Sequence, residues 1–206
     1  MAVPDFADTA AFPTFAGLPE IVTTPSPPQE HTTSDSSNNQ DEDWFLLGQI
    51  KDNMTITQPT LVLFDRAGSP FALMFDGLGP GGVDFRARGL RKGSTAVVPR
   101  ARRTPPKDES KRGFVAVAPE DAGSVRAVPG PLPRVIELGK WLRERRAAGA
   151  VGCDGCWRED GEMKKCTACG ELQYCGKECQ AKAWNDSHKI DCKIIKAIDA
   201  IWKHDD

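Results

Sequence analysis

The chain has 206 residues, of which 39% are hydrophobic, and it contains 16 prolines and 19 glycines. This apolar content is too small for all of the residues to pack around one core, so we expect part of the chain to be disordered. The formal net charge of −2 combines an acidic first 50 residues, with eight acids and no Lys or Arg, and a basic stretch over residues 86–112 with a local balance of +8.

Residues 1–43 are rich in Pro, Ser, Thr, Asn and Asp and show neither helical nor strand periodicity. Such a composition cannot bury enough apolar surface to offset the entropy of ordering. We therefore predict a disordered acidic tail over residues 1–43.

Residues 44–133 contain short apolar runs separated by turn signals, which predict a small antiparallel β-domain. The runs are WFLLGQI, TLVLFD, FALMFDG, STAVVP, GFVAVAP and SVRAVPG. We expect the second and third runs to pair across Asp65–Pro70, which supplies the glycine of a hairpin loop. The order of the runs is typical of an OB-like barrel, with another small barrel or a β-sandwich fragment as the alternative. The segment GLGPGGVDFRARGLRKG is too rich in glycine for a helix.

Two helices are predicted after the β-domain, so that the whole chain belongs to the α+β class. Over residues 134–148, Val135, Leu138, Trp141 and Leu142 recur at helical spacing and indicate a linking helix. Isoleucines recur every three or four residues from Ile190 to Ile201, which indicates a C-terminal helix over residues 189–204.

All seven cysteines lie between residues 153 and 192. The chain contains no run of about 18 apolar residues, and Met1–Ala10 lacks the order of a secretion signal. We therefore expect an intracellular protein of the nucleus or cytoplasm. In that reducing environment an odd number of cysteines indicates metal ligation rather than disulfides.

Eight potential ligands follow the pattern C-x2-C, x9, C-x2-C, x5, C-x3-C, x8, H-x3-C. They are Cys153, Cys156, Cys166, Cys169, Cys175, Cys179, His188 and Cys192. Eight ligands satisfy two tetrahedral zinc sites, each with four protein ligands. The x2 pairs suit tight turns, and the x3 pairs project from one face of a helix. His31 and His204 have no comparable context.

Sequential pairing of these ligand pairs would also give two complete sites. Interleaved pairing leaves 18 residues in both loops, whereas sequential pairing leaves nine in the first. Zinc ribbons separate their ligand pairs by about 15 to 20 residues, which favours interleaving. We assign one zinc to Cys153, Cys156, Cys175 and Cys179, and the other to Cys166, Cys169, His188 and Cys192.

The stretch YCGKECQAKAWNDSHKIDC, together with the eight ligands in this order, resembles the MYND finger family. The resemblance covers roughly residues 153–192, and we place the finger domain at residues 151–192. One departure is the x8 gap from Cys179 to His188, where the family has x7, which suggests an extra residue between Trp184 and His188. The resemblance implies an interaction module that binds proline-containing peptides of a protein partner. The family contacts map to Gln180 and Trp184.

These observations predict a zinc-dependent adaptor or transcriptional regulator rather than an enzyme. Two filled tetrahedral sites leave no open position for an activated water. Some MYND proteins are SET-domain methyltransferases, but only 14 residues follow Cys192 and no matching motif precedes the finger. The alternative function is binding of single-stranded nucleic acid by the basic OB-like domain, with the finger as a recruiter of partners.

Overall fold

The computed structural model describes residues 3–21, 43–106 and 113–202. Its larger sheet has seven strands in the order β5-β6-β3-β2-β1-β4-β7. The strands are β1 Phe45–Asn53, β2 Thr60–Phe64, β3 Pro70–Phe75, β4 Thr95–Pro99, β5 Arg103–Thr104, β6 Phe114–Val117 and β7 Arg126–Val128. Each of the six predicted apolar runs overlaps one strand of this sheet, although β1 extends to Asn53 and β3 begins at Pro70. In this sheet only the two-residue β5 was not anticipated.

The prediction of an OB-like barrel is not confirmed. Within the described residues the sheet is open, with β5 and β7 at its two edges. The chain crosses the sheet between β4 and β5, and β6 then pairs with β5 and, in parallel, with β3. It crosses back before β7, which pairs with β4 at the opposite edge. The barrel interpretation assumed antiparallel neighbours throughout. Among the described strands, no pairing joins the two edge strands β5 and β7, so no closed sheet is found.

The predicted hairpin is present and shows why its residues form strands. Strands β2 and β3 pair antiparallel, with Phe64 opposite Pro70. Leu61 and Leu63 are buried and alternate with half-buried neighbours, as expected when successive side chains point to opposite faces of a sheet. The Asp65 carboxylate accepts hydrogen bonds from the N–H groups of residues 67 and 69 and closes the turn.

Both faces of the central strands are buried. On one face Leu46, Ile50 and Val98 belong to a core inside the β-domain. On the other face Leu47 and Val97 belong to a second core, which contains side chains of the helices and the cysteine-rich segment. The glycine-rich segment between β3 and β4 forms turns and no helix, as predicted.

Three helices and a small sheet complete the fold. Strands β8 Lys164–Lys165 and β9 Gln173–Tyr174 form the second sheet. The helices are α1 Leu132–Ala148, α2 Lys177–Ala183 and α3 Lys189–Trp202, with a π-helical turn at Trp184–His188. The linking helix and the C-terminal helix were predicted, although residues 203–206 lie outside the described residues. No helix in the described part of the chain is long and apolar enough to cross a membrane.

The structure differs from the predicted disordered tail over residues 3–21. Val3, Phe6 and Phe12 are buried in the second core, and Phe15 and Leu18 are buried in the first. The segment has little regular structure beyond a 3-10 turn at Phe15–Gly17. Its order comes from contacts with distant residues, which periodicity does not reveal. Residues 1, 2 and 22–42 of the predicted tail lie outside the described residues.

Candidate metal centre

Two knuckles and two helical turns carry the eight predicted ligands. The first knuckle holds Cys153 and Cys156 in a turn before β8, and the second holds Cys166 and Cys169 between β8 and β9. The remaining ligands come from the end of β9 and the helices, in the order Cys175, Cys179, His188 and Cys192. The small sheet joins both halves, because Lys164 of β8 pairs with Tyr174 of β9.

The structure brings the ligands together in the two interleaved groups. One group is Cys153, Cys156, Cys175 and Cys179, and the other is Cys166, Cys169, His188 and Cys192; within each group the ligand atoms all lie within 4.8 Å of one another. The interleaved assignment, rather than sequential pairing, therefore describes the geometry.

The distances within each group suit a tetrahedral zinc. Four sulfurs at zinc–thiolate bond length stand about 3.8 Å apart. The Cys156–Cys175 and Cys175–Cys179 sulfurs are 3.7 and 3.6 Å apart. In the second group Nε2 of His188 lies 3.3 Å from the Cys166 sulfur and 3.8 Å from the Cys169 sulfur. The two clusters thus fit two structural zinc ions, with Nε2 as the ligand atom of His188.

In the first cluster the thiols differ sharply in acidity. Burial acts to raise the pKa of Cys153, but N–H groups of Cys175, Gly155 and Cys156 stabilise its thiolate and lower the pKa to about 6. Contacts with Cys175 and Cys156, followed by burial, raise the pKa of Cys179 to about 12. Four crowded thiols therefore do not all ionise without a cation to balance them.

The second cluster shows the same pattern around His188. Burial acts to raise the pKa of Cys166, but the imidazole and nearby backbone N–H groups lower it to about 6. Burial and the neighbouring Cys169 and Cys166 raise the pKa of Cys192 to about 12. Burial acts to lower the pKa of His188, but these two cysteines raise it to about 9. A divalent cation is the group that such a donor set accommodates.

Ion pairs fasten the finger to helix α1. Arg145 of α1 forms a two-point ion pair with Asp154 of the first knuckle, with both distances 2.8 Å. Asp154 also accepts a hydrogen bond from the N–H of Gln173, 2.7 Å away. Arg134 of α1 makes a similar pair with Asp191 of α3. These ion pairs could not be predicted from the sequence, because it shows that the arginines and aspartates are present but not that they lie close together in the fold.

The two knuckles share one backbone conformation but not one residue type. The N–H of Trp157 bonds to the carbonyl of Cys153, and the N–H of Gly170 bonds to the carbonyl of Cys166. Both residues follow the second cysteine of their pair and have positive φ, 64° for Trp157 and 72° for Gly170. Glycine adopts this conformation freely, whereas another residue costs roughly 1 to 2 kcal/mol. The sequence already shows that tryptophan follows the second cysteine of the first knuckle where glycine follows that of the second. We drew no prediction about Trp157 from this difference.

The extra residue before His188 is accommodated by the π-helical turn at Trp184–His188. One added residue within a helix widens a single turn to this form. The rings of Trp184 and Tyr174 approach the His188 ring edge-on, with centroids 5.7 and 6.0 Å from it. The insertion thus leaves His188 in its cluster, with its Nε2 close to two of the three sulfurs.

The predicted peptide-contact residues, Gln180 and Trp184, line one groove of about 420 Å³. Lys177 and Ala181 of α2 also line it, together with Thr167 of the second knuckle. Trp184 keeps 36% of its surface exposed although its ring touches His188. The two residues that the resemblance singled out therefore share one surface.

Comparison with known proteins agrees with this geometry. Residues 153–192 match the family model described as MYND finger. This segment is a MYND finger. MYND fingers are generally protein-interaction modules.

The finger is similar to segments of several curated proteins. SET domain-containing protein 14 of Caenorhabditis elegans is 48% identical over 44 residues, which cover 21% of this chain and 10% of that protein. An F-box protein of Arabidopsis thaliana is 30% identical over 74 residues, 30% of this chain and 22% of that protein. Histone-lysine N-methyltransferase ASHR1 of the same plant is 38% identical over 47 residues, 23% of this chain and 9% of that protein. The matched segments thus span less than a quarter of these relatives.

The prediction that the protein is not an enzyme is contradicted by these matches. Two of the relatives are named as a SET domain protein and a histone-lysine methyltransferase. The matches cover only the region of the MYND finger. Zinc sites with four protein ligands argue only against catalysis at the zinc ions themselves. They give no reason to exclude other enzymatic activity, as our prediction did.

Proposed function

We propose that this chain is an adaptor or transcriptional regulator whose MYND finger binds a proline-containing peptide of a protein partner. The observation that carries the proposal is the single groove lined by Gln180 and Trp184. An indole offers a flat apolar face, and an amide can hydrogen-bond an extended peptide backbone. A nuclear or cytoplasmic location belongs to the same proposal.

The second metal cluster supports the groove while all four of its ligands stay buried. Cys166, a ligand of the second cluster, lies at the wall of the groove, and its own side chain is buried. Trp184 begins the turn that ends with His188. Zinc would therefore fix both walls, while each ion has four protein ligands and acts as a structural centre.

Proline fits this surface because a proline ring packs on an indole and a proline segment loses little entropy on binding. Lys177 lines the groove and adds positive charge to it. We therefore expect acidic residues beside the prolines to strengthen binding.

Single-stranded nucleic-acid binding receives less support. Phe71, Phe75 and Phe85 are buried and offer no faces on which bases could stack. Arg88 donates to the carbonyls of residues 122 and 125, and so serves the fold itself. Residues 107–112 of the basic stretch lie outside the described residues.

The test is peptide capture by the full chain loaded with zinc, using a library of proline-containing peptides. We expect Gln180→Ala and Trp184→Ala to reduce binding, with Glu178→Ala as a control on the same helix outside the groove. Zinc content is measured for each variant, because Trp184 touches a ligand. Binding that survives both groove variants would refute the proposal. Loss of zinc in Trp184→Ala with normal binding by Gln180→Ala would show a purely structural role.

A further inference from the structure

A second groove, of about 330 Å³, lies between helix α1, the first knuckle and the beginning of α3. Its lining includes the indoles of Trp157 from the knuckle and Trp141 from α1. It shares no lining residue with the groove at Gln180 and Trp184. The proposed peptide site therefore leaves this groove unexplained.

Trp157 is the residue at this groove that packing does not account for. It is 81% exposed, although tryptophan is highly buried on average. It also adopts a positive φ at the position where the second knuckle has Gly170. A large apolar side chain in a strained conformation at the surface gains nothing for the fold. Such a combination is typical of residues retained for binding.

Trp141 forms an already ordered wall of the same groove. The guanidinium of Arg145 lies over its ring, 5.0 Å from the centroid. Arg145 is itself held by the two-point ion pair with Asp154. Apolar side chains of Leu138 and Ile195 contribute to the lining. A ligand thus meets two indoles without having to order both of them.

The charges around the groove select its occupant. The lining has three carboxylates, of Glu137, Asp154 and Asp191, against the single guanidinium of Arg134. The two aspartates accept two bonds each from arginines, whereas Glu137 meets Arg134 at one oxygen and its side chain is 67% exposed. Residues 158–162, directly after Trp157, add three acids against one arginine. Phosphates and acidic peptides would be repelled, and a cationic side chain would be attracted.

We propose that this groove binds a basic segment of a protein partner. A lysine or arginine side chain lies against the free face of Trp157, and its charge pairs with Glu137. An ammonium or guanidinium group over an indole face is attracted by the ring, and the aliphatic stem packs on the apolar lining. The MYND-containing region would then hold two separate peptide sites of different preference.

The test uses the full zinc-loaded chain and a labelled short peptide of alternating lysine and alanine, with a counterpart in which glutamate replaces lysine. Fluorescence anisotropy measures binding. We expect the lysine peptide to bind and the glutamate peptide not to bind. Trp157→Gly, which installs the residue found at the equivalent position of the second knuckle, should weaken binding about tenfold. Glu137→Gln should weaken it less, and Glu178→Ala, which removes an exposed acid outside both grooves, should leave it unchanged.

Stability and zinc content separate binding from folding. Trp157→Gly relieves a positive φ, so its thermal midpoint should be unchanged or raised and both zinc ions should remain. No binding of the lysine peptide, binding unaffected by Trp157→Gly, or equal weakening by Glu178→Ala would overturn the proposal. A lowered midpoint or lost zinc in Trp157→Gly would also overturn it, because Trp157 would then serve the fold.

Discussion

The ring of Phe6 fills the space that Gly139 leaves on helix α1: a β-carbon at residue 139 would lie 1.9 Å from Cδ2 of Phe6. Beside this contact, Arg143 of the same helix pairs with Asp5 at 2.5 Å. The N-terminal segment is thus fitted to α1 at a position where a helix would otherwise prefer a residue other than glycine.

We predict that Gly139→Ala destabilises the protein by about 1 to 3 kcal/mol, because the added methyl displaces Phe6 from a packed core. Alanine by itself favours a helix over glycine by about 0.8 to 1.0 kcal/mol. In the background of Phe6→Ala the same substitution should therefore become neutral or stabilising. Denaturant unfolding of the two single variants and the double variant measures this coupling. Equal effects of Gly139→Ala in both backgrounds would contradict it.

Metal removal should affect more than the finger. The core that contains Cys153, Cys166 and Cys192 also contains Val97 and Val128 of the larger sheet. We expect two zinc ions per chain, and we expect a strong chelator to expose amides of β4 and β7 to hydrogen exchange as well as those of the finger. Metal analysis and exchange mass spectrometry measure both quantities. Protection of the sheet that is unchanged after chelation would show that the two parts are independent.

Zinc affinity should rise with pH between about 6 and about 9. Cys153 and Cys166 have pKa values of about 6 in the metal-free chain, His188 about 9, and Cys179 and Cys192 about 12. Groups with a pKa above the solution pH carry protons that zinc must displace, so fewer are displaced as the pH rises. Calorimetry in buffers of different ionisation enthalpy counts the released protons. Affinity that is independent of pH would exclude ligation by these groups.

The ion pair between α1 and α3 should contribute to stability. Asp191 is 7% exposed and takes two bonds from Arg134, at 2.9 and 2.5 Å. Asp191→Ala removes both bonds and leaves Arg134 with only the exposed Glu137 as an acidic partner, and we expect a loss of about 1.5 to 3 kcal/mol. The matched control is Glu144→Ala, which breaks the exposed pair with Lys140 at 3.8 Å and should cost less than about 0.5 kcal/mol. Similar losses in both variants would contradict the prediction.

Deletion of Asp186 should be tolerated. It removes one residue from the π-helical turn at Trp184–His188 and restores the seven-residue gap of the family. An α-helical turn can then lead from Cys179 to His188. We expect two zinc ions in the deletion variant, measured by metal analysis, and a thermal midpoint close to that of the parent chain. Loss of one zinc would show that the wide turn is needed to place His188.

Much of this architecture could be predicted because its signals are local. Ligand spacing indicated the finger and its interleaving, apolar runs indicated six strands, and the spacing of Val135 and Leu142 indicated α1. The parallel partner of β6 and the packing of Phe6 and Phe12 could not be predicted in the same way. They depend on contacts between residues far apart in the chain, which the local pattern of a segment does not specify.

The role of Asp65 has a consequence for anyone who would shorten or redesign the hairpin. One oxygen of its carboxylate closes the β2–β3 turn, and the other accepts the N–H of Phe15 at 2.8 Å, 50 positions away in the chain. Asparagine is a favoured turn residue, and its amide oxygen would keep the bonds that close the turn. Its N–H₂ group would then face the N–H of Phe15, and two donors cannot form a hydrogen bond. A replacement that suits the loop would thus leave the N–H of Phe15 without its acceptor and weaken one contact of the N-terminal segment, so this turn is unsuitable for grafting.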